Sequence, residues 1–255
     1  MEESRIYIGT SGWNYGHWQG IFYPEDIKSH DLLSYYSRYF STVEINSSFY
    51  HLPRETTFSN WRKKVPKDFL FSVKVWRRIT HLKKLNKIED DLKIFWQRCM
   101  ILKEKLGPLL FQFPPSFQAT KENIKRLENL SKFIRANLRL NPRQSAGRHS
   151  ALEFRHQSWF DESIYKILKK YNLALCWADT PCYPYQEVVT TNYVYLRLHG
   201  HEQLYASKYT KTQLQDYAQK IKKCLKKGFD VFIYFDNDFA GHAVENAKTL
   251  KTLVG

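Results

Sequence analysis

A chain of 255 residues, 43% of them hydrophobic, is long enough to bury one large core, and with only 10 Gly and 9 Pro no low-complexity linker divides it. The formal charge of +15, from 40 Lys and Arg against 25 Asp and Glu, favours anionic partners such as nucleic acid, phosphorylated metabolites or acidic lipid, unless it serves solubility alone. No apolar stretch approaches the length of a membrane span, the start MEESRIYIGTSGW lacks the form of a secretory leader, and Cys99, Cys176, Cys182 and Cys224 are too scattered for a close metal-ligand pair, so a cytoplasmic protein with reduced thiols and no membrane contact is expected.

In chain order, Arg5 to Gly9 reads as a first strand that runs into the turn-rich TSGWNYGHW. Asp31 to Phe40 is an amphipathic helix with Asp31 near its N-cap. The stretch TVEINSSFYHLP, Thr42 to Pro53, opens with the two-residue alternation of a strand and is expected to end in a loop. Glu55 to Lys64 is helical, and Asp68 to Val75 is a third strand with Phe69, Phe71, Val73 and Val75 on one face. Ile88 to Leu106 has helical spacing that Gly107-Pro108 should stop, and Leu109 to Phe113 is a fourth strand.

Thr120 to Leu138 reads as a long helix, followed by the polar segment Asn141 to Ser150 and a fifth strand, Ala151 to Arg155. A helix over Asp161 to Tyr171 and strands over Leu173 to Ala178 and Tyr193 to His199 come next, with little helical pattern between those two strands in Thr180 to Asn192. Thr210 to Lys227 is a basic helix, Asp230 to Asp236 the eighth strand and Gly241 to Leu253 the last helix. Eight strands alternating with helices imply parallel pairing through right-handed crossovers and, at this length, a single (β/α)₈ TIM-type barrel over residues 1–255. A doubly wound open sheet is the alternative, but no strand is followed by GxGxxG.

In such a barrel catalytic groups sit at the C-terminal ends of the strands, facing the axis. Alternation puts Glu44 and Asn46 there from strand two, Lys74 from three, Gln112 from four, Glu153 and Arg155 from five, Arg197 and His199 from seven, and Asp236 with Asn237 beside it from eight. Isolated charges in apolar surroundings are costly, so the cluster must balance itself, as a salt-bridge network or as a working site.

The ordered motifs IGTSGW, WQGIFYP, EINSSFY, FQFPPSF, EFRHQSWF, LRLHG and YFDN span the chain from Ile6 to the last helix and closely resemble those of the YecE-like family, a domain of unknown function. The resemblance implies a cytoplasmic, mainly prokaryotic TIM-type barrel and no established reaction. The likeness of that fold to barrel-type apurinic endonucleases and sugar isomerases implies, by analogy, nucleic-acid or sugar-phosphate chemistry.

Three chemistries fit the residues. The first is an enzyme, a hydrolase, lyase or isomerase, acting on a small phosphorylated or otherwise anionic compound. Arg155 and Arg197 would grip the anion, with Asn46, Gln112, Asp236 and Asn237 around it and Trp13, Tyr50 and Trp159 as an aromatic wall, to which Trp18 and Trp76 could add. Glu44 and Glu153 would be acid and base, and His199 another proton carrier. Lys74 would be a point charge or, with a depressed pKa, a Schiff-base amine, although neighbouring carboxylates should raise that pKa. The second is a metal-dependent nuclease drawing on Glu44, Glu153, His156, Asp179, His199, His201 and Asp236, against which Lys74, Arg155 and Arg197 lie among the would-be ligands, so no metal set is assigned. The third is a nucleic-acid binder built on Arg62, Lys63, Lys64, Arg77, Arg78, Lys83 and Lys84 with Trp61 and Trp76. Cofactor, substrate and oligomeric state are not specified by these residues.

Overall fold

The computed structural model describes residues 4–139 and 149–255, with side chains described except at 137–139. Most of the polar segment expected over Asn141 to Ser150, residues 141–148, lies outside the described residues. Eight strands, β1 (Ile6–Thr10), β2 (Thr42–Ile45), β3 (Leu70–Lys74), β4 (Leu106–Gln112), β5 (Ser150–Glu153), β6 (Ala174–Asp179), β7 (Tyr193–Leu198) and β8 (Asp230–Phe235), form one sheet in the order β1-β8-β7-β6-β5-β4-β3-β2, and every pairing is parallel. The two end strands meet beyond Thr10: Ser11 bridges to Glu44, and Gly12 N donates to Glu44 O at 2.8 Å. The result is a nearly closed (β/α)₈ TIM-type barrel, as the alternation of elements predicts. Close packing of β1 on β2 requires Gly9, because a Cβ there would stand 2.2 Å from Thr42 O.

Around the strands run α1 (Leu32–Tyr36), α2 (Ser47–Tyr50), α3 (Glu55–Lys63), α4 (Glu89–Cys99), α5 (Lys121–Arg139), α6 (Glu162–Tyr171), α7 (Lys211–Lys226) and α8 (His242–Val254). Their ends follow local chemistry. Asp161 caps α6 by accepting from Ser163 N at 2.8 Å, and Asn172 closes it with φ +56°. Thr210 and Gln213 form a reciprocal capping box at α7. No helix joins β6 to β7, in keeping with the missing periodicity. Instead Thr190 ties that connection to β6, accepting from Leu175 N and donating to Leu173 O.

Two expectations fail locally. The segment after Thr42 does not end in a loop, because Ser47–Tyr50 turns into α2. Ser48 Oγ donates to Lys74 O at 2.6 Å, pinning that turn to the end of β3. Gly107-Pro108 also does not separate helix from strand. α4 ends at Cys99, a 3₁₀ turn over Met100–Lys105 follows, and β4 starts at Leu106. Gly107 is needed inside the strand because a Cβ would press on Phe71 O at 3.1 Å, beside the register shift between Phe71 and Val73.

Hydrophobic burial has two compartments. The larger lies between barrel and helices and takes one face of each strand, such as Val43, Ile45, Phe71, Val73, Phe111, Leu152, Leu196 and Ile233. The smaller fills the barrel with Leu70, Leu110, Ala151, Ala174, Cys176, Ala178, Tyr193, Tyr195, Phe232 and Tyr234. Stacked Tyr7 and Phe232 rings, 4.9 Å apart, lie at the strands' N-terminal end. Further up the barrel the Tyr195 and Tyr234 phenols hydrogen-bond to Ser72 and Thr42 at 2.6 and 2.8 Å. The polar mouth stands on this hydroxyl layer.

Candidate functional site at the barrel mouth

The inward alternation of β2, β5 and β7 ends on Glu44, Glu153 and Arg197, and Asp236 follows β8 by one residue. These four side chains meet. The Arg197 guanidinium is fully buried and every nitrogen is engaged. Nη2 donates to Glu44 Oε1 (2.8 Å), Asp236 Oδ2 (2.9 Å) and Ser11 Oγ (3.2 Å). Nη1 donates to Glu153 Oε2 at 2.8 Å, and Nε to Glu44 Oε2 at 3.0 Å. Glu44 also accepts from Ser11 Oγ at 2.5 Å and Tyr195 OH at 2.6 Å.

Burial works against every charge here, and the partners decide the outcome. For Glu153 burial pushes the pKa up, but the Arg155 and Arg197 charges hold it well below the carboxylate range. For Asp236 burial is likewise overcome, chiefly by Arg197, and the pKa falls to about 2. Arg197 is held charged by Glu44, Asp236 and Glu153 against its own burial.

His199 is fully buried within this network. Its Nε2 lies 3.2 Å from Arg197 Nη1 and its Nδ1 2.9 Å from Asp236 Oδ2. A guanidinium has only donors, so Nε2 accepts, and Nδ1 is the protonated nitrogen facing the carboxylate. Both ring nitrogens thus face partners inside the network. The same saturation meets Glu44, and it denies Arg197 the free edge that an anion clamp needs.

Lys74 is placed differently. It is the last residue of β3, partly solvent-exposed, and its Nζ stands 4.5 Å from the centre of the Phe49 ring. Among the described residues no carboxylate lies within salt-bridge distance of it. Burial, then the Arg197 charge, lower its pKa to about 8 against the weaker pull of Asp236, Glu153 and Glu44. The neighbouring carboxylates do push this pKa up, as expected, but burial and then Arg197 outweigh them. His81 packs edge-on to the same Phe49 ring at 4.8 Å. Its pKa is pushed down to about 4 by burial, then by the charges of Lys74 and Arg155.

Arg155 donates from Nε to Glu153 Oε1 at 2.9 Å and lies over the Tyr183 ring at 4.5 Å. Its Nη2 reaches Tyr205 OH at 3.5 Å, leaving the outer guanidinium edge lightly held. Gln112 Nε2 donates to Glu153 Oε1 at 2.8 Å. Asn46 reaches Asp236 Oδ1 at 3.4 Å, and its own Oδ1 is buried without a partner. Asn46 also lines a cavity of about 470 Å³ beside the mouth, together with Trp13, Tyr15, Trp61 and Lys64. Trp13 is buried edge-on to Trp61 at 5.2 Å, and Tyr50 is exposed on α2.

Two expected ligand contacts stand elsewhere. Trp159 is fully buried behind β4 and β5, stacked on Phe117 and Phe154, with Nε1 donating to Phe117 O at 2.5 Å. Asn237 turns outward and donates to Asn246 Oδ1 and Ser207 O, tying β8 to α8 and the loop before α7. As for a metal cage, the guanidinium of Arg197 fills the space between Glu44, Glu153 and Asp236 that a cation would take. No group of three His, Cys, Asp or Glu among the described residues could hold a metal ion. His156 instead bonds Ser158, and His201 pairs with Asp179 at 3.1 Å. In the basic stretch, Arg78 and Lys83 are both tied to Asp91, at 2.9 and 2.6 Å, and Lys64 donates to His30 O.

Sequence reasoning overlooked Tyr195, Ser11, His81 and Tyr205. Tyr195 was accessible, lying two residues before Arg197 on the same strand face. His81 had no periodic signal, because it sits in a π-helical turn over Arg78–Leu82, and Tyr205 lies in irregular chain with φ +64°.

A family model described as "Protein of unknown function DUF72" matches residues 7–255. UPF0759 protein YunF of Bacillus subtilis is 28% identical over 280 residues, covering 98% of this chain and 94% of the relative. UPF0759 protein YecE of Escherichia coli is 31% identical over 112 residues, 44% of this chain and 39% of the relative. The crystal structure of a DUF72 family protein (TM1631) from Thermotoga maritima superposes with TM-score 0.83 at 28% identity, covering 98% of this chain and 99% of that one. Among the described residues no helix is long and apolar enough to cross a membrane.

Proposed function

We propose, for this chain, which belongs to the DUF72 family, that the barrel mouth is the site of an enzyme that binds a small anionic, for example phosphorylated, compound between Lys74 and Arg155. The observation that carries this reading is the imbalance of pairing: three carboxylates stand in the mouth, yet among the described residues none lies within salt-bridge distance of Lys74. A partly desolvated cation without a countercharge gains most when a ligand supplies one.

Arg155 would add directional N–H donors from its outer edge, with Tyr205 beside it. Asn46 offers an unpartnered carbonyl to a neutral part of the ligand. The Arg197 network underneath would act as a rigid floor of fixed dipoles rather than as a substrate clamp.

Thermal denaturation of the purified protein with increasing inorganic phosphate tests the reading. Phosphate is expected to raise the melting temperature of the natural chain. The effect should be lost in Lys74→Met and Arg155→Gln and kept in Lys93→Gln, a change of an exposed residue on α4. Equal shifts in all four proteins, or none in the natural one, would overturn it.

A further inference from the structure

We infer that Lys74 is a covalent nucleophile, and that the anionic compound taken at the mouth carries an aldehyde or ketone which the Lys74 amine converts to an imine. The inference rests on the anion-binding reading above and adds a bond to it.

Geometry separates Lys74 from an ordinary anchoring lysine. Its backbone is fixed at the end of a barrel strand, and its carbonyl is held by Ser48 Oγ, so the amine is presented from a rigid base. Nζ meets an aromatic face, not an oxygen. Among the described residues no hydrogen bond or ion pair engages it, and Arg197 holds Glu44, Glu153 and Asp236. An amine engaged with a carboxylate stays protonated and cannot attack; one that is desolvated and near a guanidinium loses its proton more readily, against the weaker hold of an aromatic face on its charge. Its pKa near 8 leaves roughly a tenth of the amine neutral at pH 7, against fewer than about one in a thousand for an ordinary lysine.

The step needs no oxidant or reductant. The Nζ lone pair attacks the carbonyl carbon, a C–N bond forms, and the C=O π pair moves to oxygen. A proton passes from nitrogen to that oxygen, and the hydroxyl then leaves as water with a second nitrogen proton, giving the imine. His81, a neutral imidazole against the same Phe49 ring, is a proton carrier for these transfers. Arg155 would hold the substrate's anion and so fix the carbonyl near Nζ.

The test uses pyridoxal 5′-phosphate, an anionic aldehyde, followed by cyanoborohydride reduction and peptide mass mapping of the full chain. Lys74 is expected to be labelled at least about tenfold faster at pH 7 than the remaining lysines, with a rate that reaches half its maximum near pH 8. The charged groups bearing on that midpoint are Arg197, Asp236, Glu153 and Glu44, with Arg155 and Lys74 itself acting on His81. Inorganic phosphate is expected to suppress the labelling. Lys74→Arg should lose the label while keeping the phosphate-induced thermal shift, which also reports that the variant folds. Labelling of Lys74 no faster than surface lysines, with the phosphate shift intact, overturns the imine and leaves the anion site standing. Absence of the phosphate shift in the natural chain removes both.

Discussion

On the β7 side of the mouth a guanidinium with no solvent exposure is held by three carboxylates; on the β3 side an ammonium lies over a phenylalanine ring and touches none. Both cations end barrel strands, and the sequence pattern presents them as equals. Coulombic partners can offset the cost of taking a charge out of water only where geometry lets several of them converge. Arg197, planar and with donors on three nitrogens, collects Glu44, Glu153 and Asp236 together. At Lys74 the same carboxylates still pull the pKa up, but burial and the Arg197 charge outweigh them. On the proposed reading, the fully paired cation holds the mouth together and the unpaired one meets the ligand.

The largest expected effect comes from removing the first. Arg197→Met keeps most of the side-chain volume but leaves Glu44, Glu153 and Asp236 together in a buried place without their shared countercharge. It should cost about 3–5 kcal/mol in urea denaturation at pH 7. The sign with pH follows from the lowered carboxylate pKa values. In the natural protein Glu153 and Asp236 contribute stability above about pH 4, which is lost as pH falls toward 2. Without Arg197 that contribution is gone, so the gap between variant and natural protein should narrow on acidification. A cost below about 1 kcal/mol at pH 7 would break the comparison, since Arg197 would then be free to serve a ligand.

How much of this was legible beforehand divides along the same line. The eight strands and the inward faces of Glu44, Lys74, Gln112, Glu153 and Arg197 follow from two-residue alternation, which depends only on local backbone geometry. Which inward residues pair is set by the tilt and stagger of the closed barrel, and no local pattern encodes that. Alternation therefore shows Arg197 and Lys74 as inward cations without showing that Arg197 collects three carboxylates or that burial outweighs them at Lys74. Trp159 and Asn237 failed for a simpler reason. Each follows a strand by a few residues, where alternation no longer applies and the chain turns its side chains back over the helices.

The second effect has the opposite sign and is smaller. A lysine whose folded pKa lies below its unfolded value binds fewer protons when folded, so it costs stability below about pH 8, and the cost fades as pH rises toward the unfolded value. Lys74→Met should therefore stabilise the protein at pH 7, by roughly 1–3 kcal/mol after allowance for its partial exposure, and by nearly nothing above about pH 10.5. Urea denaturation at pH 7 and pH 10.5 compares the two. A destabilised variant at pH 7 would mean that the ammonium has a partner after all, and Lys74 would join Arg197 as structure.

The smallest effect marks the outer boundary of the mouth. Trp159 belongs to the stack of Phe113, Phe117, Phe154 and Trp159 behind β4 and β5, close in sequence to Arg155 yet on the other side of the strand. Trp159→Phe loses one buried hydrogen bond to Phe117 O and part of a ring. These two losses together amount to about 1–2 kcal/mol. Since the indole neither lines the mouth nor contacts Lys74 or Arg155, the phosphate concentration giving half the thermal shift should be unchanged, whereas Arg155→Gln, only four residues away, should abolish it. If Trp159→Phe instead weakened phosphate binding as Arg155→Gln does, the wall behind β5 would be coupled to the mouth, and the division between a structural shell and a chemically free rim would have to be redrawn through that strand.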